Sequence, residues 1–152
     1  MRVLLQRVSH ASCTVDGRIT GAIQKGYMLL VGITHEDNET IVKQMAEKIY
    51  YLRINDDENG KMNLSITDVK GDILSISQFT LYADCVKGRR PGFEKSAQKD
   101  KALFLYHAFN DALRDLGLHC EEGIFGADMK IDLCNDGPIT IMLDSEELFH
   151  GK

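Results

Sequence analysis

The sequence predicts an α+β fold: a single layer of antiparallel or mixed sheet, or an open β-barrel, with two α-helices packed on it. Three observations predict it. Apolar segments follow one another as strands, helix, strands, helix, strands. Two stretches repeat apolar residues at helical spacing, while the others have strand length. The chain has 152 residues, 43% hydrophobic and 27% charged. That is the size and composition of one ordinary globular domain, so residues 1–152 are read as a single domain. A domain of this length buries roughly two-thirds of its unfolded surface and needs no staples. Disordered, collagen-like and fibrous classes are excluded.

The elements follow in order. Val3, Leu5 and Val8 open the chain in a short apolar stretch. Residues 11–15 run into Asp16-Gly17, a hairpin signal, and residues 19–23 return. Residues 27–33 are a continuous apolar run, too short for a membrane helix and suited to a strand buried on both faces. Asn38 can cap a first helix, with Glu39 in its first turn. Ile41, Met45, Ile49 and Leu52 form its stripe, widened by Val42 and Ala46. Residues 55–60 read as a solvated turn; their acidic cluster lacks the ligand spacing of a calcium loop. Residues 72–81 read as a long strand and residues 86–95 as a loop. A second helix spans residues 96–116, with Ala102, Leu105, Tyr106, Phe109, Leu113 and Leu116 inward and Gly117 as its cap. Residues 118–121, 129–133 and 139–143 read as three closing strands.

Several classes fall away. Cysteines stand at 13, 85, 120 and 134 with no CxxC pair, so no zinc site and no other metal or cofactor is expected. The thiols are expected to be reduced and mostly buried. Gln6 and Arg7 interrupt the first residues too early for a secretory signal, and no apolar run approaches membrane length. The expectation is a soluble, cytoplasmic protein that does not use a membrane. The chain has no GxSxG elbow, HExxH pair, P-loop or GxGxxG, and its five histidines are scattered. A net charge of −5 argues against a general nucleic-acid coat.

Three polar features stand out. Ser77-Gln78-Phe79-Thr80 sets two hydroxyls and an amide around one aromatic; it reads as a cleft edge or as a strand leaving the core. Asn135-Asp136-Gly137-Pro138 reads first as a hairpin turn between the last two strands, its Gly-Pro bond trans by default. Residues 87–101 hold six basic and two acidic residues, a local +4 that leaves −9 elsewhere. Lys87, Arg89 and Arg90 therefore suit phosphate contact, or else a solvated loop.

These features sit inside a longer match. Gln6-Arg7-Val8, residues 60–65, residues 77–84, Lys87-Gly88-Arg89-Arg90-Pro91, residues 123–129 and residues 135–140 resemble, in order, the signatures of the D-aminoacyl-tRNA deacylases, also called D-tyrosyl-tRNA deacylases. Departures are mild: Cys13 and Asn55 replace larger apolar residues, and Ile139 replaces Val.

The resemblance implies a hydrolase that cleaves the ester joining a D-amino acid, or misattached glycine, to the terminal adenosine of tRNA. It implies the deacylase fold and a homodimer with sites at its interface. Ser77, Gln78, Phe79 and Thr80 would form the catalytic segment, with backbone amides near Phe79 and Thr80 stabilising the oxyanion and the substrate ribose hydroxyl assisting. Gly137 and Pro138 of the other subunit, joined by a cis peptide, would reject L-amino acids. Arg7 would support that loop. Phe125, Gly126 and Met129 would receive the adenosine, and Lys87, Arg89 and Arg90 the acceptor end. Two alternatives stay open: an esterase with Thr80 as nucleophile, and a non-catalytic module that binds RNA ends or nucleotides.

Overall fold

The structure is a computed structural model, and it describes residues 1–150. β1 (Arg2–Val15) is the longest continuous piece of the first third of the chain. The apolar stretches expected separately at residues 3–8 and 11–15 join in it. β2 (Arg18–Ile23) returns through a two-residue turn in which Asp16 and Gly17 both have positive φ, 51° and 77°. That is the backbone a tight hairpin needs. β3 (Gly26–Gly32) pairs antiparallel with the first half of β1.

β3 then runs parallel to β6 (Asp72–Ser77), and β6 parallel to β7 (Cys120–Glu122). Parallel neighbours need a crossover. α1 (Glu39–Tyr51) supplies the first and α2 (Lys99–Asp115) the second. The Asn38 side chain accepts from the Ile41 amide and caps α1 as expected. The expected turn at residues 55–60 is flanked by two short strands, β4 (Asn55–Asp56) and β5 (Met62–Leu64), which pair with each other.

The helices and the barrel interior divide the core. Tyr27, Leu29 and Val31 of β3 pack with Ile41, Met45, Ile49, Leu105, Phe109 and Leu113 of the helices. Met28, with Leu30 beside it, faces the opposite way, toward Val8, Cys13, Ile23, Leu74 and Ile76. This is why residues 27–33 read as unbroken apolar sequence. A bulge at Ser9 keeps β1 consistent: Val8 pairs with Asn135 and His10 with Cys134, so one β1 residue is extra. That shift turns Ala11 and Cys13 to the same side as Val8.

The sheet is nearly closed. Thr20 donates to the Glu122 carbonyl, and a Cβ on Gly21 would lie 2.7 Å from that oxygen, so β2 passes β7 at glycine distance. β8 (Lys130–Asp144) runs along β1 and pairs with it alone among the described residues. Its outer edge is open.

Three expectations change here. The strands expected at residues 129–133 and 139–143 are one strand, β8, and residues 135–138 are a bulge in it rather than a hairpin turn. Gln6 pairs with Thr140 and Val8 with Asn135, so four β8 residues lie opposite Arg7. The strand expected to reach Leu81 ends at Ser77 and becomes a 3₁₀ turn, Phe79–Tyr82. Cys13 and Cys120 are buried, but Cys85 and Cys134 are exposed.

Candidate active site

The 3₁₀ turn starts where β6 runs out of partner. Gln78 makes the last bond toward β3, its amide donating to the Val31 carbonyl at 2.7 Å. The carbonyls from Gln78 to Leu81 are then occupied. Gln78 O accepts from Leu81 N (3.3 Å) and Thr80 O from Ala83 N (3.0 Å). Phe79 O accepts from Ser96 Oγ (3.0 Å), and Leu81 O from the Arg2 guanidinium (2.9 Å). The amides of Phe79 and Thr80 meet no acceptor among the described residues. The arrangement offers donors with nothing of the protein to donate to.

Beside the turn lies a cleft of about 270 Å³. Ser77, Gln78 and Phe79 form one wall, and Phe125, Gly126, Ala127 and Met129 another. Val31, Ile33, Ile76 and Ile131 give it an apolar floor, with Ala97 and Ala102 alongside. Six of the residues named from sequence thus meet in one place. Phe125 leans on Tyr106 at 6.2 Å between centroids, and Met129 packs against the barrel interior. Each of these two residues therefore both packs and lines the cleft. A larger groove of about 600 Å³ separates α1 from α2 elsewhere and holds none of these residues.

Thr80 does not line the cleft. Its Oγ1 accepts from Gln78 Nε2 at 2.5 Å. An amide N–H cannot remove a proton, and no carboxylate, imidazole or amine touches that hydroxyl among the described residues. The chemistry of an activated threonine is missing.

Lys87, Arg89 and Arg90 are exposed in a loop of residues 85–91. Two backbone bonds between Asp84 and Gly92 close it (2.7 and 2.8 Å). Just beyond, Phe93 meets Phe79 edge to face at 4.9 Å, which sets the basic loop beside the 3₁₀ turn.

Gly137 and Pro138 do not line the cleft of their own chain. They are exposed at the β8 bulge, and the peptide between them is cis. Arg7 lies beneath, buried, its Nε donating to Asp136 O (3.1 Å) and NH1 to Ile54 O (2.7 Å). Gly137 has φ +124°, and a Cβ there would stand 3.0 Å from the Arg7 guanidinium. Asn135 braces the other side: its amide donates to Gln6 and Thr140, and its carbonyl oxygen accepts from Ile139 N. Asn55, a departure from the family pattern, is buried and donates to the Tyr27 hydroxyl at 2.8 Å. Burial pushes the Tyr27 hydroxyl up to about 12, against opposing effects from Asn55 and Arg7.

Sequence reasoning missed Ser96 and Arg2, which bond to the 3₁₀ turn, and Ala97 and Ile131, which line the cleft. Ile131 carried a signal, since it follows Met129 at strand spacing. The others act across distances that local sequence does not show.

Among the described residues, no group of three or more His, Cys, Asp or Glu side chains is arranged to hold a metal, and no helix is long and apolar enough to cross a membrane.

Comparison with known proteins gives this cleft a context. The family model described as D-Tyr-tRNA(Tyr) deacylase matches residues 4–144. D-aminoacyl-tRNA deacylases are similar along nearly the whole chain. That of Bacillus pumilus is 58% identical, covering 97% of this chain and 100% of the relative. That of Thermus aquaticus is 55% identical, covering 97% of each. Two solved structures share the fold. A c-Myc DNA unwinding element binding protein superposes with a TM-score of 0.88 at 38% identity, covering 95% of this chain and 98% of the other. A probable eukaryotic D-amino acid tRNA deacylase superposes at 0.83 and 17%, covering 93% and 97%. The class is thus a hydrolase that cleaves the aminoacyl ester of tRNA. Within it, the chain belongs to the D-Tyr-tRNA(Tyr) deacylase family.

Proposed function

We propose that this cleft performs the deacylation with backbone groups and selects against L-amino acids with a second copy of the chain. The observation that carries the proposal is the meeting of Ser77–Phe79 and Phe125–Met129 in one cleft beside two amides without acceptors.

An aminoacyl ester is already activated, so orientation and charge stabilisation supply much of the rate. Water adds to the ester carbon, and the oxyanion forms against the amides of Phe79 and Thr80. The neighbouring ribose hydroxyl of the substrate assists the water. Collapse of the intermediate releases the amino acid and the free ribose hydroxyl of the terminal adenosine. Phe125, Gly126 and Met129 hold the adenine; an aromatic face contributes about 1–3 kcal/mol per stacked base. Lys87, Arg89 and Arg90 at the rim contact the phosphates of the acceptor end.

The Gly137-Pro138 segment of a second copy closes the site. Its backbone carbonyls accept the substrate ammonium, a D side chain points to solvent, and an L side chain meets the backbone. Glycine has no side chain to clash and is accepted. The exposure of residues 136–138 and the open edge of β8 support a homodimer of this kind. Such an enzyme works where charged tRNA is found, in the cytoplasm.

The test is hydrolysis of D-Tyr-tRNA and L-Tyr-tRNA by the purified protein. Turnover of the D ester with little on the L ester is expected. Equal rates would remove the chiral role, and binding without turnover would favour the non-catalytic module.

A further inference from the structure

The amide and carbonyl of one peptide unit point in opposite directions, because the unit is planar and trans. The carbonyl of Phe79 and the N–H of Thr80 belong to the same unit. Whatever grips the Phe79 oxygen therefore aims the Thr80 N–H. In this structure Ser96 Oγ donates to it at 3.0 Å, beside the bond it takes within the 3₁₀ turn.

We propose that Ser96 is a positioning residue for the deacylation: its hydroxyl holds the Phe79–Thr80 peptide so that the Thr80 N–H faces the developing oxyanion. The inference rests on the oxyanion role given above to that amide. It adds a residue 17 positions away that does not line the cleft.

The surroundings suit this role. Ser96 is itself fixed: its amide donates to Phe93 O at 3.1 Å, and it bridges to Thr34 across the sheet end. Thr34 Oγ1 donates to the Lys95 carbonyl at 2.5 Å, and the Ala97 amide to Ile33 O at 3.0 Å. The segment before α2 is thereby sewn to the end of β3 by backbone and side chain. Phe93 packs its ring on Phe79 at 4.9 Å and restrains the same peptide from the other side. Of the carbonyls from Gln78 to Leu81, Gln78 O, Phe79 O and Thr80 O take 3₁₀ bonds from the amides three residues on. Side chains hold Leu81 O, through Arg2, and reach Phe79 O a second time, through Ser96. Leu81 N holds the unit that carries the Phe79 amide, and Ser96 is the side chain that acts on the unit that carries the Thr80 amide. Without its hydroxyl, the Phe79 carbonyl keeps only the bond of the 3₁₀ turn, and the Thr80 N–H is aimed less firmly.

Loss of a direct oxyanion donor lowers turnover by about 10²–10³. Loss of a group that only aims one should cost less, about ten- to thirtyfold. The experiment measures single-turnover and steady-state deacylation of D-Tyr-tRNA by wild type, Ser96→Ala, Ser96→Cys and Ser96→Thr. Thermal melts confirm that each variant is folded. Expected is a fall in kcat for Ser96→Ala with KM for the charged tRNA nearly unchanged, recovery by Ser96→Thr, and an intermediate rate for Ser96→Cys, whose thiol donates weakly. Wild-type kcat in Ser96→Ala, a change in KM alone, or a Ser96→Thr variant as slow as the alanine form overturns the inference. Should Ser96→Ala not fold, a Ser96→Cys variant with wild-type kcat overturns it equally. A wild-type protein inactive on D-Tyr-tRNA would instead refute the proposed function, so the two failures are distinguishable.

Discussion

Replacing Arg7 by Met keeps an unbranched apolar stem and removes the guanidinium under the β8 bulge. The structure separates three contributions. NH1 donates to Ile54 O at 2.7 Å, and Ile54 is buried, so that carbonyl would be left without a donor. Nε donates to Asp136 O at 3.1 Å, and Asp136 is exposed, so water can replace that bond in part. Asp56 lies 3.7 Å away, but its side chain is 53% exposed. Hydrogen bonds from charged donors contribute about 1.5–3 kcal/mol each, and an exposed ion pair about 0–1 kcal/mol. The hydrogen bonds therefore dominate. Arg7→Met should cost about 2–4 kcal/mol, whereas Asp56→Asn should cost less than about 1 kcal/mol. In a domain of this size each kcal/mol moves the melting point by about 2–4 °C, so Arg7→Met should melt roughly 5–15 °C lower. The assay is thermal unfolding followed by circular dichroism, with D- and L-Tyr-tRNA hydrolysis measured at a temperature where both variants are folded. Arg7→Met should also lose part of its preference for the D ester, because residues 136–138 lose their anchor. An Arg7→Met protein that melts with wild type, or an Asp56→Asn protein equally destabilised, would refute this reasoning.

Other outcomes follow from the same geometry. Thr80→Ala removes a hydroxyl that has no base beside it, so turnover should stay within about threefold of wild type; a loss of about 10³ or more would make Thr80 a nucleophile after all. Changing Lys87, Arg89 and Arg90 together to Ala should weaken tRNA binding and lower its log–log salt slope by about 2–3; an unchanged slope would exclude phosphate contact. Burial pushes Tyr27 and Tyr106 up to about 12 and Tyr82 higher still, while Cys120 rises from 9.0 to about 12. Raised values of this kind favour the fold below the unfolded pKa of each group, and that support is lost as pH rises through the folded value. These four groups should therefore leave stability unchanged from neutral pH up to about 9 and favour unfolding as pH approaches 12, with tyrosinate absorbance of these three residues appearing only as the circular dichroism collapses. Complete ionisation of the tyrosines in a still-folded protein would contradict this.

Much of the fold was legible because it rests on neighbours in sequence. Asn38 caps α1 through a residue three positions on, and Asp16-Gly17 turns the chain by its own backbone preferences. Residues 27–33 read as apolar throughout because α1 and α2 cover one face and the barrel core the other. The two walls of the cleft were legible only as family signatures, since Ser77–Phe79 and Phe125–Met129 carry no catalytic side-chain pattern. Residues 135–138 were misread for a related reason. Asn, Asp, Gly and Pro have the same turn chemistry whether the chain reverses or bulges. The difference lies in the register against Gln6 and Val8, some 130 residues away.

By itself, then, the sequence determined the helices and most of the strands, the amphipathic faces, the local basic strip within an acidic chain, and the family. Tertiary structure alone decided that the chain turns after Ser77 instead of continuing as a strand, and that two amides there lack acceptors. It alone decided that Arg7 is buried beneath a bulge and that Ser96 grips the Phe79 carbonyl. Helix caps and tight turns are set by atoms a few bonds apart. Strand register and the occupancy of individual carbonyls depend on which distant segment arrives to bond, and that is known only once the sheet has closed.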